Sequence, residues 1–372
     1  MKLTIDRAAL LRALGHVQSV VERRNTIPIL SNVLITAEGE EARFSATDLD
    51  IEIVEAAEAR VSRPGATTAP AHTLYDIARK LPDGSEVSLE LAPDEPKLTL
   101  IAGRAKFDLP CLPASDFPAL SADGLEHSFS LGPAELSRLI DKTRFAISTE
   151  ETRYYLNGVH LHASGTGEGG VLRAVATDGH RLALAENELP DGAEGMPAVI
   201  IPRKTVAEVR RLLDDAGEEV AVSVSEAKIK FELGRATLTS KLIDGAFPDY
   251  ERVIPKNNDK ALVVDNKTFA EAVDRVQTIS AEKSRSVKLS LGEDRMTLAV
   301  NNPEAGQAEE ELSVDYQAEP LSIGFNAKYL LDITNQIEGS EAELRLADAA
   351  SPTLILDRGD ANAQYVLMPL RV

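Results

Sequence analysis

Residues 3–21 read LTIDRAALLRALGHVQSVV and set the pattern on which the rest of the chain is built. Two alternate apolar residues lead to Asp6, and apolar residues at helical spacing follow from Leu10 to Val17. The pattern returns as FSLGPAELSRLIDKTRFAI at residues 129–147 and as LVVDNKTFAEAVDRVQTIS at residues 262–280. Self-similarity of this kind indicates a structural unit that occurs three times.

Two further features repeat in the same order within each copy. A junction between a predicted strand and a second predicted helix lies at Ala69-Pro70-Ala71, Ile201-Pro202-Arg203 and Phe325-Asn326-Ala327. Two adjacent residues typical of turns end a predicted strand at Thr47-Asp48, Thr177-Asp178 and Asn301-Asn302. The sequence therefore predicts an α+β chain of three similar domains, each with two short helices on antiparallel sheets. The predicted domains are residues 1–124, 125–256 and 257–372.

Local signals refine this course. Pro64-Gly65 predicts a turn that directs the chain toward the second helix of the first domain, at residues 72–81. The run from Tyr154 to Gly158 is predicted to enter a strand. Two similar corners, Asp116-Phe117-Pro118 and Phe247-Pro248-Asp249-Tyr250, mark the ends of the first and second domains.

Composition limits the class of protein. The apolar content of 43% is enough for sizeable cores, and the absence of Trp predicts that they are aliphatic. Cys111 is the single cysteine, which excludes an internal disulfide and fits a reducing compartment. No stretch approaches the roughly 18 apolar residues of a membrane span. We expect a soluble, cytoplasmic protein.

The charge is unevenly distributed. The chain carries a net charge of −20, which by itself repels nucleic acid, yet the six predicted helices together carry a net positive charge. Six helices spaced about 10 Å apart on a circle leave roughly 9 Å clear, whereas twelve helices from two head-to-tail chains leave roughly 28 Å. The second arrangement has room for a DNA duplex. Ordinary solvated helix faces are the alternative interpretation.

Four candidate catalytic features are weak. The loop at residues 165–170 satisfies Gly-x-Gly-x-x-Gly, but a strand pattern and not a helix follows it. His160 and His162 share one face of a strand without a nearby acidic or cysteine partner. No base is apparent for Cys111, and the pair Asp48 and Asp50 is not kept in the other repeats. The sequence predicts no catalytic residue, no metal site and no cofactor.

Many short segments together carry a resemblance to a known family. The chain resembles the bacterial DNA polymerase III beta subunit, the sliding clamp, over essentially its whole length. The segments that carry the resemblance are Thr26-Ile27-Pro28-Ile29-Leu30, Pro64-Gly65-Ala66-Thr67-Thr68, Arg153-Tyr154-Tyr155-Leu156-Asn157-Gly158, Ala176-Thr177-Asp178-Gly179-His180-Arg181-Leu182-Ala183, Ile201-Pro202-Arg203-Lys204, Thr239-Ser240-Lys241-Leu242-Ile243-Asp244-Gly245, Phe247-Pro248-Asp249-Tyr250, Asn301-Asn302-Pro303-Glu304 and Tyr365-Val366-Leu367-Met368-Pro369-Leu370-Arg371-Val372.

The resemblance implies a non-catalytic homodimeric ring, closed head to tail with its helices lining the hole. Such a ring encircles double-stranded DNA without sequence preference and tethers the replicative polymerase, which makes synthesis processive. Its implied partners are the clamp loader, replicative and repair DNA polymerases, and other proteins that carry a short clamp-binding motif of apolar and Gln residues. No membrane is involved.

The resemblance also implies three sets of site residues. The partner-peptide pocket would comprise Leu156, Thr177, Gly179, His180, Arg181, Leu182, Pro248, Arg252, Val253, Val366, Met368, Pro369, Leu370 and Arg371. The DNA-binding residues would be Arg24, Tyr154, Tyr155, Arg203 and Lys204. The dimer interface would place Arg104, Lys106 and Leu109 of one chain against Thr278, Ile279, Glu304, Glu309 and Glu310 of the other.

The residues alone give independent support to the pocket and the interface. An apolar chain end from Val366 to Val372 would be an exposed liability unless it lined a groove, although a terminal core strand is the simpler alternative. Opposite charges at the two ends of one chain favour head-to-tail pairing. Two rival functions remain open at this point: a monomeric three-domain scaffold that binds peptides only, and an enzyme that uses Asp48 or His180.

Overall fold

The structure is a computed structural model that describes residues 1–92, 96–166, 169–280 and 285–371. The chain divides into two compact units. Unit 1 comprises Met1–Leu136, Pro190–Pro197 and Lys204–Leu242, and unit 2 comprises Ser137–Leu189, Ala198–Arg203 and Ile243–Val372. The predicted domain junctions at residues 124/125 and 256/257 stay predictions.

The described residues contain the six α-helices that the repeat predicts. Their bounds are α1 Arg7–Gln18, α2 Ala71–Lys80, α3 Pro133–Thr143, α4 Arg203–Leu212, α5 Asn266–Gln277 and α6 Ala327–Thr334. Helix α1 begins where the Asp6 carboxylate accepts hydrogen bonds from the amides of Ala8 and Ala9, and Asp265 caps α5 in the same way. The repeated polar position at the strand-to-helix step is therefore a helix cap in these two copies.

The strands that follow are numbered in chain order. The first thirteen are β1 Lys2–Asp6, β2 Asn32–Glu38, β3 Glu41–Thr47, β4 Ile51–Glu58, β5 Arg60–Arg63, β6 Gly65–Pro70, β7 Glu86–Leu91, β8 Lys97–Ala102, β9 Ala105–Pro110, β10 His127–Leu131, β11 Gly158–Ser164, β12 Val171–Thr177 and β13 Arg181–Glu188. The others are β14 Val199–Pro202, β15 Val220–Val224, β16 Lys228–Leu233, β17 Ala236–Lys241, β18 Lys260–Asp265, β19 Ser286–Gly292, β20 Arg295–Asn302, β21 Gly306–Ser313, β22 Asp315–Tyr316, β23 Leu321–Asn326, β24 Glu341–Leu346, β25 Thr353–Asp357 and β26 Asp360–Leu367.

Each unit contains one smaller and one larger antiparallel sheet. Unit 1 has a five-stranded sheet in the order β5-β1-β7-β8-β9 and an eight-stranded sheet in the order β10-β15-β16-β17-β4-β3-β2-β6. Unit 2 has a nine-stranded sheet in the order β14-β11-β12-β13-β26-β25-β24-β18-β22 and a four-stranded sheet in the order β21-β20-β19-β23. The α+β class and the antiparallel sheets are confirmed.

Each large sheet joins strands from two sequence repeats. In unit 1, β17 of the second repeat pairs with β4 of the first, with Leu238 opposite Ile53. In unit 2, β26 of the third repeat pairs with β13 of the second, with Tyr365 opposite Ala183. The hydrophobic pattern of both partners sets this register, because a one-residue slip would turn every buried side chain outward.

The cores are mainly aliphatic, as the composition predicts, but six aromatic side chains of the described residues are also fully buried: Phe44, Phe231, Phe269, Phe325, Tyr316 and Tyr365. Around α1 the fully buried side chains include Leu3, Leu10 and Leu14, each with no exposed surface. In α5 the corresponding residues Phe269 and Val273 are equally buried. The periodic apolar residues of the repeat are thus the residues that fix each helix on its sheet.

One local prediction is wrong. Residues Glu151–Leu156 form a 3-10 helix and not the start of a strand, because Arg153 and Asn157 donate their amides three residues back, to Glu150 and Tyr154. Strand β6 lies between the Pro64-Gly65 turn and α2, and it completes the edge of the eight-stranded sheet beside β2. This order agrees with the predicted strand-then-helix unit.

Among the described residues, no helix combines the length and the apolar character that crossing a membrane requires.

Candidate functional site

A tight turn between β12 and β13 forms one side of the candidate site. The Asp178 carboxylate accepts the amides of His180 and Arg181 at 2.9 and 3.0 Å, and the Thr177 hydroxyl donates to the Arg181 carbonyl at 2.7 Å. Gly179 has a φ of 87°, and a Cβ there would lie 2.6 Å from the Arg153 guanidinium. These bonds hold the turn in one conformation, and only glycine fits its third position without strain.

Arg181 is the most heavily bonded side chain of this turn. Its guanidinium donates to Asp178 at 3.1 Å, to Asp332 on α6 at 2.5 Å and to the Phe145 carbonyl at 2.6 Å. It also stacks 4.3 Å from the centre of the Tyr329 ring. Only 7% of the side chain is exposed. The guanidinium is therefore fully engaged within the protein and contributes shape more than free charge.

An apolar cavity of about 160 Å³ lies beside this turn, within unit 2. Its lining residues are Leu156, Thr177, Gly179, Arg181, Leu182, Pro248, Asp249, Tyr250, Val253, Val366 and Met368. Leu182, Tyr250 and Val366 also belong to a buried cluster with Val175, Leu184 and Leu354. The cavity is thus an extension of the hydrophobic core to the surface, and such cavities suit apolar side chains of a ligand.

Most residues of the predicted pocket line this cavity, and five do not. Leu156, Thr177, Gly179, Arg181, Leu182, Pro248, Val253, Val366 and Met368 line it. The others are His180, Arg252, Pro369, Leu370 and Arg371. His180 accepts the Met368 amide through its carbonyl at 2.9 Å, and Leu370 donates its amide to the Gly324 carbonyl at 2.8 Å. These two bonds hold the chain end against strands on both sides.

The rim of the cavity is apolar and exposed. Val253 is 50% exposed and Met368 is 40% exposed, which is unusual for side chains of this type. Arg252 points into solvent with 84% of its side chain exposed and pairs with Asp249 at 2.6 Å. Asp249 and Tyr250 also line the cavity and were not among the predicted residues, although both belong to the Phe-Pro-Asp-Tyr corner, whose repetition was the available signal.

The predicted DNA-binding residues differ in how free their side chains are. Arg24 and Arg203 are exposed, and Tyr154 is 54% exposed with its ring 5.7 Å from that of Tyr155. The Lys204 ammonium, in contrast, donates to Asp48 at 2.5 Å and to the Val20 carbonyl at 3.2 Å. Burial lowers the pKa of Lys204, but the bond and the charge of Asp48 outweigh burial and leave the pKa raised.

The residues predicted for the dimer interface lie on two sheet edges and next to them. In unit 1, Arg104 and Lys106 are exposed at the edge strand β9, where Phe107 is 37% exposed, while Leu109 is buried. In unit 2, Glu309 and Glu310 lie on the edge strand β21, with the exposed Glu304 just before it; Thr278 and Ile279 follow α5.

The acidic edge is already partly neutralised from within. Arg275 on α5 donates to Glu310 at 2.6 and 3.0 Å, and this bond holds the pKa of the Glu310 carboxyl below its usual range. Glu304 and Glu309 remain exposed. Of the predicted acidic residues, these two are therefore the ones whose charge is most available to a partner chain.

The weak catalytic candidates occupy structural positions. Asp48 accepts the amides of Asp50 and Ile51 in its own turn, in addition to the Lys204 ammonium. Cys111 is half-buried, and burial raises the pKa of its thiol. The glycine loop at residues 165–170 includes Gly167 and Glu168, which lie outside the described residues. In the part of the chain that the structure describes, no group of three or more His, Cys, Asp or Glu side chains could hold a metal ion.

Comparison with known proteins identifies the family. Three domain models of the DNA polymerase III beta subunit match in order: the N-terminal domain over residues 1–121, the central domain over residues 130–249 and the C-terminal domain over residues 251–371. The chain therefore belongs to the DNA polymerase III beta subunit family.

Individual relatives agree over the full length. The beta sliding clamp of Caulobacter vibrioides is 64% identical over 372 residues, and that of Pseudomonas putida is 42% identical over 373 residues; both comparisons cover 100% of each chain. A crystal structure of the C. crescentus beta sliding clamp superposes with a TM-score of 0.98 at 64% identity, covering 100% of this chain and 99% of that one. A Bartonella birtlesii sliding clamp bound to griselimycin superposes with a TM-score of 0.97 at 50% identity and covers 100% of both chains. The family resemblance and the clamp fold are confirmed.

Proposed function

We propose that this protein is a DNA sliding clamp: two copies close head to tail into a ring around double-stranded DNA and tether the replicative polymerase to its template. The observation that carries the proposal is the apolar cavity of unit 2, in a chain that family models of all three clamp domains match in order. The ring itself does no chemistry; its contribution is to keep the polymerase on the DNA.

The two exposed sheet edges support the head-to-tail closure. Strand β9 ends the five-stranded sheet with exposed cations and the partly exposed Phe107, and β21 ends the four-stranded sheet with exposed carboxylates. An open edge is a template for pairing with another chain, and natural proteins cover or pair such edges. Pairing of β9 in one copy with β21 in the other would satisfy both edges and oppose their charges.

The cavity is the proposed seat of partner proteins. Its walls are largely apolar, its rim exposes Val253 and Met368, and its volume of about 160 Å³ accommodates a few side chains and not a folded domain. A short peptide with apolar residues and a glutamine fits this shape. The clamp loader, replicative and repair polymerases and other proteins with the same motif would then compete for one site on each chain.

The proposed DNA contacts are non-specific. Arg24 and Arg203 offer exposed guanidinium groups to phosphates, and Tyr154 offers an exposed ring to a base or sugar. A net charge of −20 would oppose binding at the outer surface, so that enclosure and not affinity holds the duplex. The protein would act on the chromosome, in the cytoplasm of a bacterial cell.

Retention on circular DNA tests the proposal. The protein is loaded by the clamp loader onto a nicked circular plasmid and passed over a sizing column, and the plasmid is then linearised with a restriction enzyme. We expect co-elution with the circle and release from the linear form, because a ring slides off a free end. Equal retention on both forms, or no retention on the circle, would contradict encirclement. A monomeric mass together with intact peptide binding would instead support the peptide-binding scaffold.

A further inference from the structure

A polar network lies directly behind one wall of the cavity. Tyr250 contributes its ring to the wall and to the buried cluster, with only 7% of the residue exposed. Its hydroxyl lies 2.9 Å from His162 Nε2 and 2.8 Å from Arg173 Nη1. His162 is on β11 and Arg173 is on β12. Side chains from two strands of the nine-stranded sheet therefore form hydrogen bonds with the Tyr250 hydroxyl, the one polar atom of this side chain.

The hydrogen bonds determine which atom donates in each contact. His162 Nδ1 lies 3.0 Å from the Ala163 carbonyl oxygen, which only accepts, so Nδ1 carries the proton. In the neutral ring Nε2 is then an acceptor, and the Tyr250 hydroxyl donates to it. The same hydroxyl oxygen accepts from Arg173, whose guanidinium only donates. The Tyr250 hydroxyl thus donates one hydrogen bond and accepts another.

The network is anchored at both ends. Arg173 donates to Glu186 on β13 at 2.6 Å and to Glu251 at 2.9 Å. His160, two residues from His162 on the same strand, stacks on Phe247 with ring centres 4.6 Å apart and an interplanar angle of 5°. Both aromatic residues of the Phe247–Tyr250 corner therefore contact the two histidines of β11.

We propose that His162 and Arg173 are positioning residues of the partner-peptide site: they hold Tyr250 by its hydroxyl and thereby fix the wall from Pro248 to Val253. This inference rests on the proposed peptide-binding function of the cavity. Neither side chain lines the cavity. They act through Tyr250, in the way that outer residues orient the groups that contact a ligand.

The arrangement requires neutral His162. A second proton on the ring would put an N–H donor on Nε2, and the Tyr250 hydroxyl proton would lose its acceptor. Charged and titratable groups from several elements face His162. They are His160 on β11, Arg173 on β12, Glu186 on β13, and Tyr250 and Glu251, which both lie in one 3-10 turn. Burial lowers the pKa of His162 and the Arg173 charge lowers it further; burial and the neighbouring His162 lower the pKa of His160 to about 4.

The sign of the pH effect follows from this. Because the pKa of folded His162 lies below its ordinary value of about 6.5, the ring is neutral at neutral pH and the wall is held. As the pH falls through that lowered pKa, the His162 ring becomes charged and the hydrogen bond that the Tyr250 hydroxyl donates to Nε2 is lost. Peptide affinity should therefore fall on the acid side, and this part of the fall should require His162.

The test measures affinity by fluorescence anisotropy on the full-length protein, using a labelled synthetic peptide with one glutamine and two leucines. Griselimycin, which the B. birtlesii clamp binds, serves as a second probe. Affinity is compared from pH 5 to pH 8 for the unmodified protein, Tyr250→Phe, His162→Gln, Arg173→Lys and the control His127→Gln, which lies on β10 in unit 1. The melting temperature of each variant is recorded as a check on folding.

We expect Tyr250→Phe and Arg173→Lys to weaken both probes about five- to tenfold at pH 7.5, the loss of one or two partly buried hydrogen bonds. His162→Gln should bind with a flatter pH profile, because its amide oxygen accepts the hydroxyl proton but does not titrate. The inference would be overturned if the unmodified protein binds both probes and all three variants show the same affinities and pH profiles as the unmodified protein. If the unmodified protein binds neither probe, it is the proposed function that fails.

Discussion

Arg181 on β13 and Asp332 on α6 are joined by a charge-assisted hydrogen bond of 2.5 Å, although they are 151 residues apart in the chain. Arg181 also lines the cavity. One side chain thus ties the central part of unit 2 to its C-terminal part and shapes the candidate site.

Arg181→Met should destabilise the protein strongly. The substitution removes this donor from Asp332 and from the Phe145 carbonyl and one of three donors from Asp178, all in a largely buried environment. Breaking a buried pair in this way costs about 3 kcal/mol of the free energy of unfolding. Urea denaturation measures the loss. The control Arg252→Met removes an arginine that is 84% exposed and should change the free energy of unfolding by less than about 0.5 kcal/mol. Equal losses for the two variants would refute the assignment.

His16→Gln should lower stability more in acid than in base. The His16 ring in unit 1 lies 3.1 Å from Glu55 and 2.9 Å from Asp215. Burial lowers the pKa of His16, but the bonds to Glu55 and Asp215 and the charge of Glu55 outweigh burial, so the pKa is raised. The interactions of charged His16 therefore stabilise the folded protein fully when the pH is below about 6.5, the pKa of histidine in the unfolded chain. This stabilisation is lost as the pH rises through the higher pKa of His16 in the folded protein.

Urea denaturation at pH 6 and pH 9 checks this. At pH 6 the variant should lose about 2 kcal/mol relative to the unmodified protein, chiefly through the bond to the buried Glu55, and the difference should shrink at pH 9. His127→Gln, on β10, serves as the control for histidine removal. A difference between His16→Gln and the unmodified protein that is constant across pH would show that the charge of His16 contributes nothing.

Charge reversal at the two edges tests the ring closure. A chain with Arg104→Glu and Lys106→Glu should dimerise at least tenfold more weakly, and so should a chain with Glu304→Lys and Glu309→Lys, because like charges then meet at both interfaces. An equimolar mixture of the two chains should restore a dimer, since each of its two interfaces again opposes unlike charges. Sedimentation velocity at low salt measures all three. A mixture that associates no better than either chain alone would contradict head-to-tail pairing through these edges.

Replacing one basic side chain at a time should distinguish a residue that contacts a DNA phosphate from one whose charge is already neutralised within the protein. Arg203→Ala should reduce the slope of log affinity against log salt by about 1, as expected for one lost phosphate contact. Lys204→Ala should change the slope much less, because Asp48 and Glu22 already neutralise this ammonium at 2.5 and 3.5 Å. Anisotropy of a short labelled duplex over a salt titration gives both slopes. A larger effect for Lys204 than for Arg203 would mean that its ion pairs open on DNA.

Ending the chain after Leu367 should abolish binding of the partner peptide and leave the dimer intact. The truncation removes Met368 from the cavity wall, together with the bond from Leu370 to Gly324, but leaves β9 and β21 untouched. Ending the chain after Leu370 is the matched control and should preserve binding, because Arg371 does not line the cavity. Anisotropy and sedimentation report the two properties. Peptide binding by the shorter chain would place the site elsewhere.

The three sequence repeats are not equivalent in the folded protein. The Met368 amide donates to the His180 carbonyl at 2.9 Å in unit 2, and the Lys241 amide donates to the Asp50 carbonyl at 2.8 Å in unit 1. The two strand junctions therefore correspond. Where unit 2 has the apolar Met368, however, unit 1 has an ion pair of 3.0 Å between Lys241 and Asp50. The repeat places Asp50 and His180 at equivalent positions, and only the side chains of the folded protein distinguish an apolar cavity from a charged surface.

The sequence by itself determined the local structure: six helices at the repeated positions, antiparallel strands between them, and mainly aliphatic cores. These features follow from spacing and propensity over about ten residues. The tertiary structure alone decided which repeats share a sheet, that Asp48 neutralises Lys204, and that His162 holds Tyr250. Those contacts join residues that are at least 88 positions apart in the chain, and local periodicity carries no information about such distant partners.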